Sequence, residues 1–378
     1  MESFRRGVQS LHYLTNADVP GTAHLVEAFE IPTSMIMEYV EGASLNDVVP
    51  ASMLEPWPGL IYVMSNVCSH LIYSHNLPQG VMHRDVRPSS IMIPNIFSYL
   101  EENILNHTDR FEVILLNYDM SWHANAKGQS ISGNIEEAGY YAPEQLKGDG
   151  DAARTTLVDS YGVGMSLFYA FARVPPPTGG SAAKEWEEML ETKIRNEPGL
   201  QWRSLPERLR RLIRQATCPN QKDRLNMTQI KAELDLLAAA VEGAYEKLPV
   251  DYWAEEILSR SEEYKYEVAI NGYEFSRSAK LGRVVSVVGD IKSNSVSVVF
   301  KNQATGIENR TGIDKLWSAK LKSAKDILAS HGWEPEDDSR YRSMEILLKA
   351  SISVTDIRKN LDKVVSGLKK GLNQVKLD

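Results

Sequence analysis

The segment VMHRDVRPSSIMI, residues 81–93, gathers His83, Arg84, Asp85 and Arg87 within five positions and places a hydroxyl at Ser90. Titratable and cationic side chains at that density can move protons and hold anions. They raise one question: whether the chain is an enzyme, the remains of one, or a protein that borrows an enzyme's shape. Thiol chemistry does not compete for the answer. Cys68 and Cys218 each lie in an apolar helical pattern and show neither metal spacing nor a redox pair. Two such cysteines suit a reducing compartment, so a cytoplasmic setting is expected.

The 378 residues suffice for two or three domains, or one large domain with an appendage. A hydrophobic content of 43% and a charged content of 24% are ordinary for a globular chain with a sizeable core. The net charge of −8 argues against a chain-wide nucleic-acid footprint. The start, MESFRRGVQS, carries no secretory signal. No uncharged apolar stretch approaches the roughly 18 residues that a transmembrane helix needs.

Around the His83 segment the elements are legible. Phe4, Val8, Leu11 and Leu14 recur at helical spacing. LVEAFE and SMIMEYV read as adjacent strands, and EGASLNDVV opens a short helix with Ser44 as its N-cap. Residues 57–75 carry Leu60, Val63, Val67, Leu71 and Ile72 on one helical face. SIMIPNIF and FEVILLNYD are strand candidates joined by a polar connection around 101–110. LVDSYGVGMSLFYAFARVPPP is an apolar helix ended by prolines, and helices are expected at 182–195, 206–218 and 227–246. A boundary falls near 247–265, where the composition turns charged and Tyr-bearing.

IMEYVEGASL, HRDVRPSS, LLNYDMS, GYYAPEQ, LVDSYGVGMSLFYAF and PNQKDRLNMTQI follow one another in the first 240 residues. In that order they resemble landmarks of the protein kinase family of the Ser/Thr type. They are similar to the hinge with its gatekeeper at Met37, the catalytic loop H-R-D-L-x-x-x-N, the D-F-G segment, the A-P-E element, the buried helix after it, and the late segment whose Arg pairs with the A-P-E glutamate. The resemblance implies an α+β, protein-kinase-like fold. An incomplete N-lobe (the C-helix and two strands) would occupy 1–40, and a mainly α-helical C-lobe 41–246.

In that family phosphoryl transfer rests on positioning and charge neutralisation. The resemblance makes Asp85 the base for a substrate hydroxyl, Arg87 a phosphate contact, and Arg84 the residue that orients the activation segment. Ser121, Ser130 and Ser132 would be candidate phosphorylation sites facing Arg84. His83, Glu144, Asp159 and Arg224 take structural roles, with Glu144 pairing with Arg224 and Asp159 bracing the catalytic loop. An active member would use ATP and Mg²⁺, with Met37, Glu38 and Val40 lining the adenine position. The metal positions read Asn117 and Ser90, an amide and a hydroxyl where a hard cation prefers carboxylates. Sliding the register by two would put Asp119 there instead. The Gly-rich loop and V-A-I-K lysine would lie before Met1, and the C-helix offers Gly7 or its neighbours where a glutamate belongs. Losing one preorganised charge or donor costs about 10²–10³ in rate, so several departures together point away from useful turnover.

The edge left by LVEAFE and SMIMEYV needs cover, from an upstream segment, from a partner chain supplying the missing strands, or from the C-terminal region. GRVVSVVGD and NSVSVVFKN indicate a β-rich module within 247–320, faintly similar to an SH3-like barrel. Helices are expected at 313–331 and 340–376 in a C-terminal segment spanning 321–378. The last would carry a stripe of Ile357, Leu361, Val365, Leu368, Leu372 and Val375. Three functions compete on these grounds. One is a pseudokinase whose C-lobe is a binding or regulatory scaffold for a protein partner. Another is an active Ser/Thr kinase acting on protein substrates. The third is an interaction protein working through its C-terminal module.

Overall fold

The computed structural model describes residues 2–54, 56–97, 112–126, 139–148, 150–178, 182–194, 200–261, 265–268, 274–279, 283–303, 310–336 and 345–375. The polar connection at 101–110, Ser130 and Ser132 lie outside these residues. Two compact units emerge: Met1–Gly199 with Leu205–Gly243, and Leu200–Ser204 with Ala244–Asp378.

In the first unit, α1 (Glu2–Asn16) buries Leu11 and Leu14. Strands β1 (Leu25–Glu30) and β2 (Thr33–Met37) form an antiparallel hairpin that is a sheet of its own. A second sheet runs β3 (Gly42–Ser44), β4 (Ile91–Pro94), β5 (Ile114–Leu115), all antiparallel. Ser44 precedes α2 (Leu45–Val48), where its N–H donates to the Asp47 carboxylate at 3.3 Å and its hydroxyl at 2.5 Å. The helices α3 (Pro56–His75), α4 (Pro143–Leu146), α5 (Leu157–Ala172), α6 (Ala182–Lys193), α7 (Leu205–Ala216) and α8 (Met227–Val241) supply the rest.

The apolar periodicity of α5 leaves no polar face, and 13 of its 16 residues are buried. It therefore serves as an axis on which other elements lie, α7 and α3 among them. Gly162 is the close-approach point: a Cβ there would lie 2.8 Å from the Val86 carbonyl oxygen. One turn on, the Ser166 hydroxyl points at the same oxygen, 3.5 Å away. Helix α5 thus receives the His83 segment directly against its backbone.

The second unit departs further from the sequence reading. Helix α9 (Val250–Ser259) occupies the stretch read as a boundary. In this charged stretch Glu255 and Glu256 are buried along with Tyr252, Trp253, Ile257 and Leu258. Glu256 accepts from the Ser204 hydroxyl at 2.8 Å, the Ser204 N–H at 3.3 Å and Arg260 Nε at 2.6 Å. The Trp202 ring packs 5.0 Å from Trp253 and 5.5 Å from Tyr252.

The strands β6 (Lys265–Val268), β7 (Glu274–Ala279), β8 (Arg283–Asp290), β9 (Ser295–Gln303), β10 (Glu334–Pro335) and β11 (Glu345–Ser353) make one antiparallel sheet, ordered β10-β11-β9-β8-β7-β6. This row, with β6 and β10 at its ends, replaces the SH3-like barrel. The helix expected over 340–376 is corrected as well. Its first part is β11, where Leu348, Ala350 and Ile352 are buried at every second position and nine consecutive residues pair with β9. Good helix formers such as Leu, Lys and Ala masked that period of two, and cross-strand pairing overrode their propensity.

Helix α10 (Arg310–Ser330) was expected; α11 (Val354–Lys359) and α12 (Leu361–Gln374) divide the rest. The apolar stripe of α12 is buried at Val365, Leu368, Leu372 and Val375, and a Cβ at Gly371 or Gly367 would lie 2.9 Å from Leu328 Cγ or 2.3 Å from His331 Cβ. Among the described residues no helix is long and apolar enough to cross a membrane.

Gly162→Ala should cost about 1–3 kcal/mol, because the new methyl must displace the Val86 carbonyl or the helix itself. Urea unfolding of the variant measures this; wild-type stability would mean that the segment is not held against α5.

Candidate functional site

Asp159, in the first turn of α5, is 0% exposed. Its carboxylate accepts the backbone N–H of His83 at 2.9 Å and of Arg84 at 2.6 Å, and His75 Nε2 lies 2.8 Å away. Burial works against its charge, but His75, His83 and the Arg84 N–H together hold its pKa below the ordinary carboxylate value. The loop they hold bends sharply: Arg84 has φ +66°, a left-handed conformation that costs a non-glycine residue free energy. Gln145 donates to the Arg84 carbonyl at 2.9 Å from the start of α4, bracing the bend from the other side.

His83 completes the loop's internal bonding. Its Nε2–H reaches the Leu116 carbonyl at 2.8 Å and its Nδ1 accepts the Asp85 N–H at 3.2 Å. That arrangement requires a neutral ring, in keeping with a pKa lowered by burial. A pair of backbone bonds between Met82 and Trp122, 2.8 and 2.9 Å, ties the loop to the segment after Tyr118 through an isolated bridge.

The Asp85 side chain is 6% exposed. Its Oδ1 lies 3.0 Å from Arg87 Nε and accepts the Tyr141 hydroxyl at 3.0 Å. Burial pushes the Asp85 carboxyl up, against the pull of Arg87, His83 and Tyr141. The group has a base's chemistry, and its Oδ1 is held by a guanidinium and a phenol. Tyr141 was not singled out from the sequence, although it stands inside GYYAPEQ.

The residues expected at a metal are turned to other work. Ser90 is fully buried; its hydroxyl lies 3.0 Å from the Asp85 carbonyl and 2.8 Å from that of Arg87, and accepts the Arg87 N–H at 3.0 Å. It is a staple inside the loop. Asn117 is exposed, with φ +66°. Asp119, the alternative in the shifted register, is also exposed, and its backbone carbonyl accepts from Ser3 at 2.7 Å. Among the described residues no three His, Cys, Asp or Glu side chains converge on a cation position. The Ser90 hydroxyl is engaged inside the loop, and Asn117 offers an amide oxygen without charge, so this pair brings no carboxylate to Mg²⁺.

Between Asn117 and Asp119, Tyr118 is 1% exposed. Its hydroxyl bonds His70 Nε2 at 2.5 Å, its ring packs 4.5 Å from His83, and His70 Nδ1 lies 2.8 Å from the Pro20 carbonyl. Helix α1 closes on this segment at Gly7, where a Cβ would lie 3.0 Å from the Tyr118 oxygen. A side chain at that position would press on the Tyr118 backbone carbonyl.

Farther out, Glu144 and Arg224 are joined by two bonds, 2.7 and 3.2 Å, with Arg224 also donating to the Leu157 and Cys218 carbonyls. The Arg84 guanidinium reaches the Met120 carbonyl at 3.3 Å. Burial draws its pKa down to about 10, opposed by Asp159 and reinforced by Arg6 and Arg154. Those three guanidiniums surround the Trp122 ring at 5.2 Å for Arg6, 5.9 Å for Arg84 and 4.3 Å for Arg154. Ser121, a candidate phosphorylation site, is fully buried with its hydroxyl on Ser10, so a modifying enzyme could reach it only after local opening. At the hinge, Met37 and Val40 are half-buried, and the Glu38 N–H is committed to the His24 carbonyl at 2.9 Å.

A helical lobe organised around a buried helix, with an H-R-D loop pinned to the start of that helix, is the architecture of a protein kinase C-lobe. Residues 5–234 match the protein kinase domain, which is more than half of the chain, and the protein belongs to the protein kinase family. It is 29% identical over 184 residues to the serine/threonine-protein kinase PknB of Mycobacterium leprae, covering 47% of this chain and 26% of that protein. It is 26% identical over 231 residues to a probable serine/threonine-protein kinase of Clostridium perfringens, covering 61% and 30%. It is 27% identical over 134 residues to receptor-interacting serine/threonine-protein kinase 3 of Rattus norvegicus, covering 34% and 25%. The chain thus spans between a quarter and a third of the length of these relatives.

The buried histidines set a pH dependence. His70 is lowered from 6.5 to about 4 by burial, against the bond to Pro20. Between those values the unfolded chain binds the proton and the folded chain does not, so stability falls as pH drops from about 6.5 to about 4, by up to roughly 3 kcal/mol from this one group. His83 and His123 are shifted the same way. Urea midpoints across that window should therefore decline, and His70→Gln should flatten the decline without abolishing it.

Proposed function

We propose that this protein keeps the kinase C-lobe as a binding and regulatory scaffold for protein partners and has lost, or nearly lost, phosphotransfer. The observation that carries this reading is the loop interior: Ser90 is spent on backbone bonds while Asp85 is engaged by Arg87 and Tyr141. Asn117 adds no charge for a cation, and Gly7 replaces a glutamate with a close helix contact. Phosphoryl transfer needs in-line positioning and charge neutralisation at once, and this set supplies a preformed loop with neither metal ligand. A partner that completes the small lobe belongs to the same reading.

A second reading, an active Ser/Thr kinase, draws on the same loop. Asp85 and Arg87 stand together on a rigid frame, and Asp85 has the raised pKa of a group able to take a proton. On that reading ATP would lie against Met37, Glu38 and Val40, Asp85 would be the base for a protein hydroxyl, and Arg87 would meet the phosphate. The relatives carry serine/threonine-kinase names, which weighs on this side.

Thermal unfolding with ATP, with and without Mg²⁺, separates the two. A nucleotide at 100 times its dissociation constant adds about 2.7 kcal/mol, which is readily seen. The scaffold reading expects no Mg²⁺-dependent shift and no transfer to protein substrates. A Mg²⁺-dependent shift, with transfer abolished by Asp85→Ala, would overturn it.

A further inference from the structure

A cleft of about 390 Å³ opens on the first unit where α5, α6 and the end of α7 meet. That volume is in the range of ligand sites. Met165 and Thr217 are its most buried lining, 7% and 5% exposed. The Thr217 hydroxyl is spent on the Ile213 carbonyl at 2.7 Å. A Cβ at Gly164 would lie 2.6 Å from Thr217 Cγ2, so α5 and α7 close tightly beneath the cleft.

The sides are flat rings. Tyr161 lies one helical turn before Met165 on α5, Trp186 comes from α6, and Pro177 and Pro219 add to the lining. Trp186 packs on the fully buried Phe168, with ring centroids 4.7 Å apart. Among the described residues neither the Tyr161 hydroxyl nor the Trp186 indole N–H has a hydrogen-bond partner. Burial pushes the Tyr161 pKa up to about 12, against Arg224, so the hydroxyl keeps its proton at neutral pH. Two uncommitted donors therefore sit on the apolar rings that flank the cleft.

Charge narrows what would fit. Arg214 lines the cleft, but its Nε is 3.0 Å from Glu187, and its other nitrogens are 2.5 Å from Glu191 and 3.7 Å from Glu207. Glu207 and Glu191 also hold Arg210, at 2.6 and 3.7 Å. Three carboxylates thus face two guanidiniums, and neither guanidinium is left for an acidic ligand. The matching ligand is apolar, flat-sided, not acidic and rich in acceptors. A polyproline II segment meets each condition: its rings stack on aromatic faces, its carbonyls make no internal bonds, and its conformation is preformed.

We propose that this cleft binds a proline-rich segment of a partner polypeptide in the polyproline II conformation. The Tyr161 hydroxyl and the Trp186 N–H donate to its carbonyls. The proposal rests on the scaffold reading, for which it names the chemistry of a partner, and no residue of the Asp85 loop lines the cleft.

The test uses the whole chain and two labelled peptides. One has three Pro-Pro-Leu repeats and a terminal Lys, about 30 Å long in this conformation. The other has alanine in place of each proline. Fluorescence anisotropy should show the proline peptide binding at least about tenfold more tightly, since it loses less conformational freedom and stacks its rings. In a proton–nitrogen correlation spectrum, the indole resonance that Trp186→Phe removes should move when the peptide binds. Trp186→Phe and Tyr161→Phe keep the rings and delete one donor each. Each should weaken binding about three- to tenfold, the worth of one hydrogen bond, with thermal unfolding as the check that the variants fold.

Equal binding of the two peptides, no binding, or binding that both variants leave unchanged would overturn the proposal. So would self-association of the free chain that Trp186→Phe abolishes, since the Arg173–Pro177 run of a second copy would then fill the cleft. Because no nucleotide is present, failure here is distinct from failure of the scaffold reading, which Mg²⁺-dependent phosphotransfer alone would overturn.

Discussion

A single buried carboxylate organises the loop that carries His83, Arg84 and Asp85. Asp159 has no solvent to balance its charge, and an uncompensated buried ion costs several kcal/mol. Donors must converge on it, and those available are the His83 N–H, the Arg84 N–H and His75. Meeting that demand fixes the turn at Arg84 and aims His83 at Leu116. The geometry of the loop is thus a solution to a solvation problem on helix α5.

Other polar groups of the loop are satisfied in the same way. A short hydroxyl at position 90 turns inward and satisfies the loop's own backbone. Tyr118 likewise trades exposure for a bond to His70 and a stack on His83. In each case a polar group is closed on a neighbour inside the fold, and the interior holds satisfied hydrogen bonds.

The helical first unit was legible because its apolar faces repeat at the helical period and its landmarks come in order. The pairing of Glu144 with Arg224 and the anchoring of the loop by Asp159 could be named from those landmarks. His70, His75 and Tyr141 could not, since nothing in the spacing of a lone histidine or tyrosine tells which distant carbonyl or carboxylate it will meet. The second unit was less legible for a different reason. Strand β11 is written in residues that favour helix, and only its pairing with β9 makes it a strand. Helix α9 buries two glutamates, and their charge disguised a core element as a linker.

Leu200–Ser204 belongs to the second unit although it lies between two helices of the first. The C-terminal unit is therefore not a contiguous cassette. A gene cut after Gly243 would strip it of Trp202, leaving Trp253 and Tyr252 without a ring they pack on, and of Ser204, leaving Glu256 short of donors. Such a module cannot be shuffled onto another protein by joining ends at one boundary. Its inheritance is bound to the kinase-fold sequence that encloses its missing piece, so the two units share one evolutionary fate.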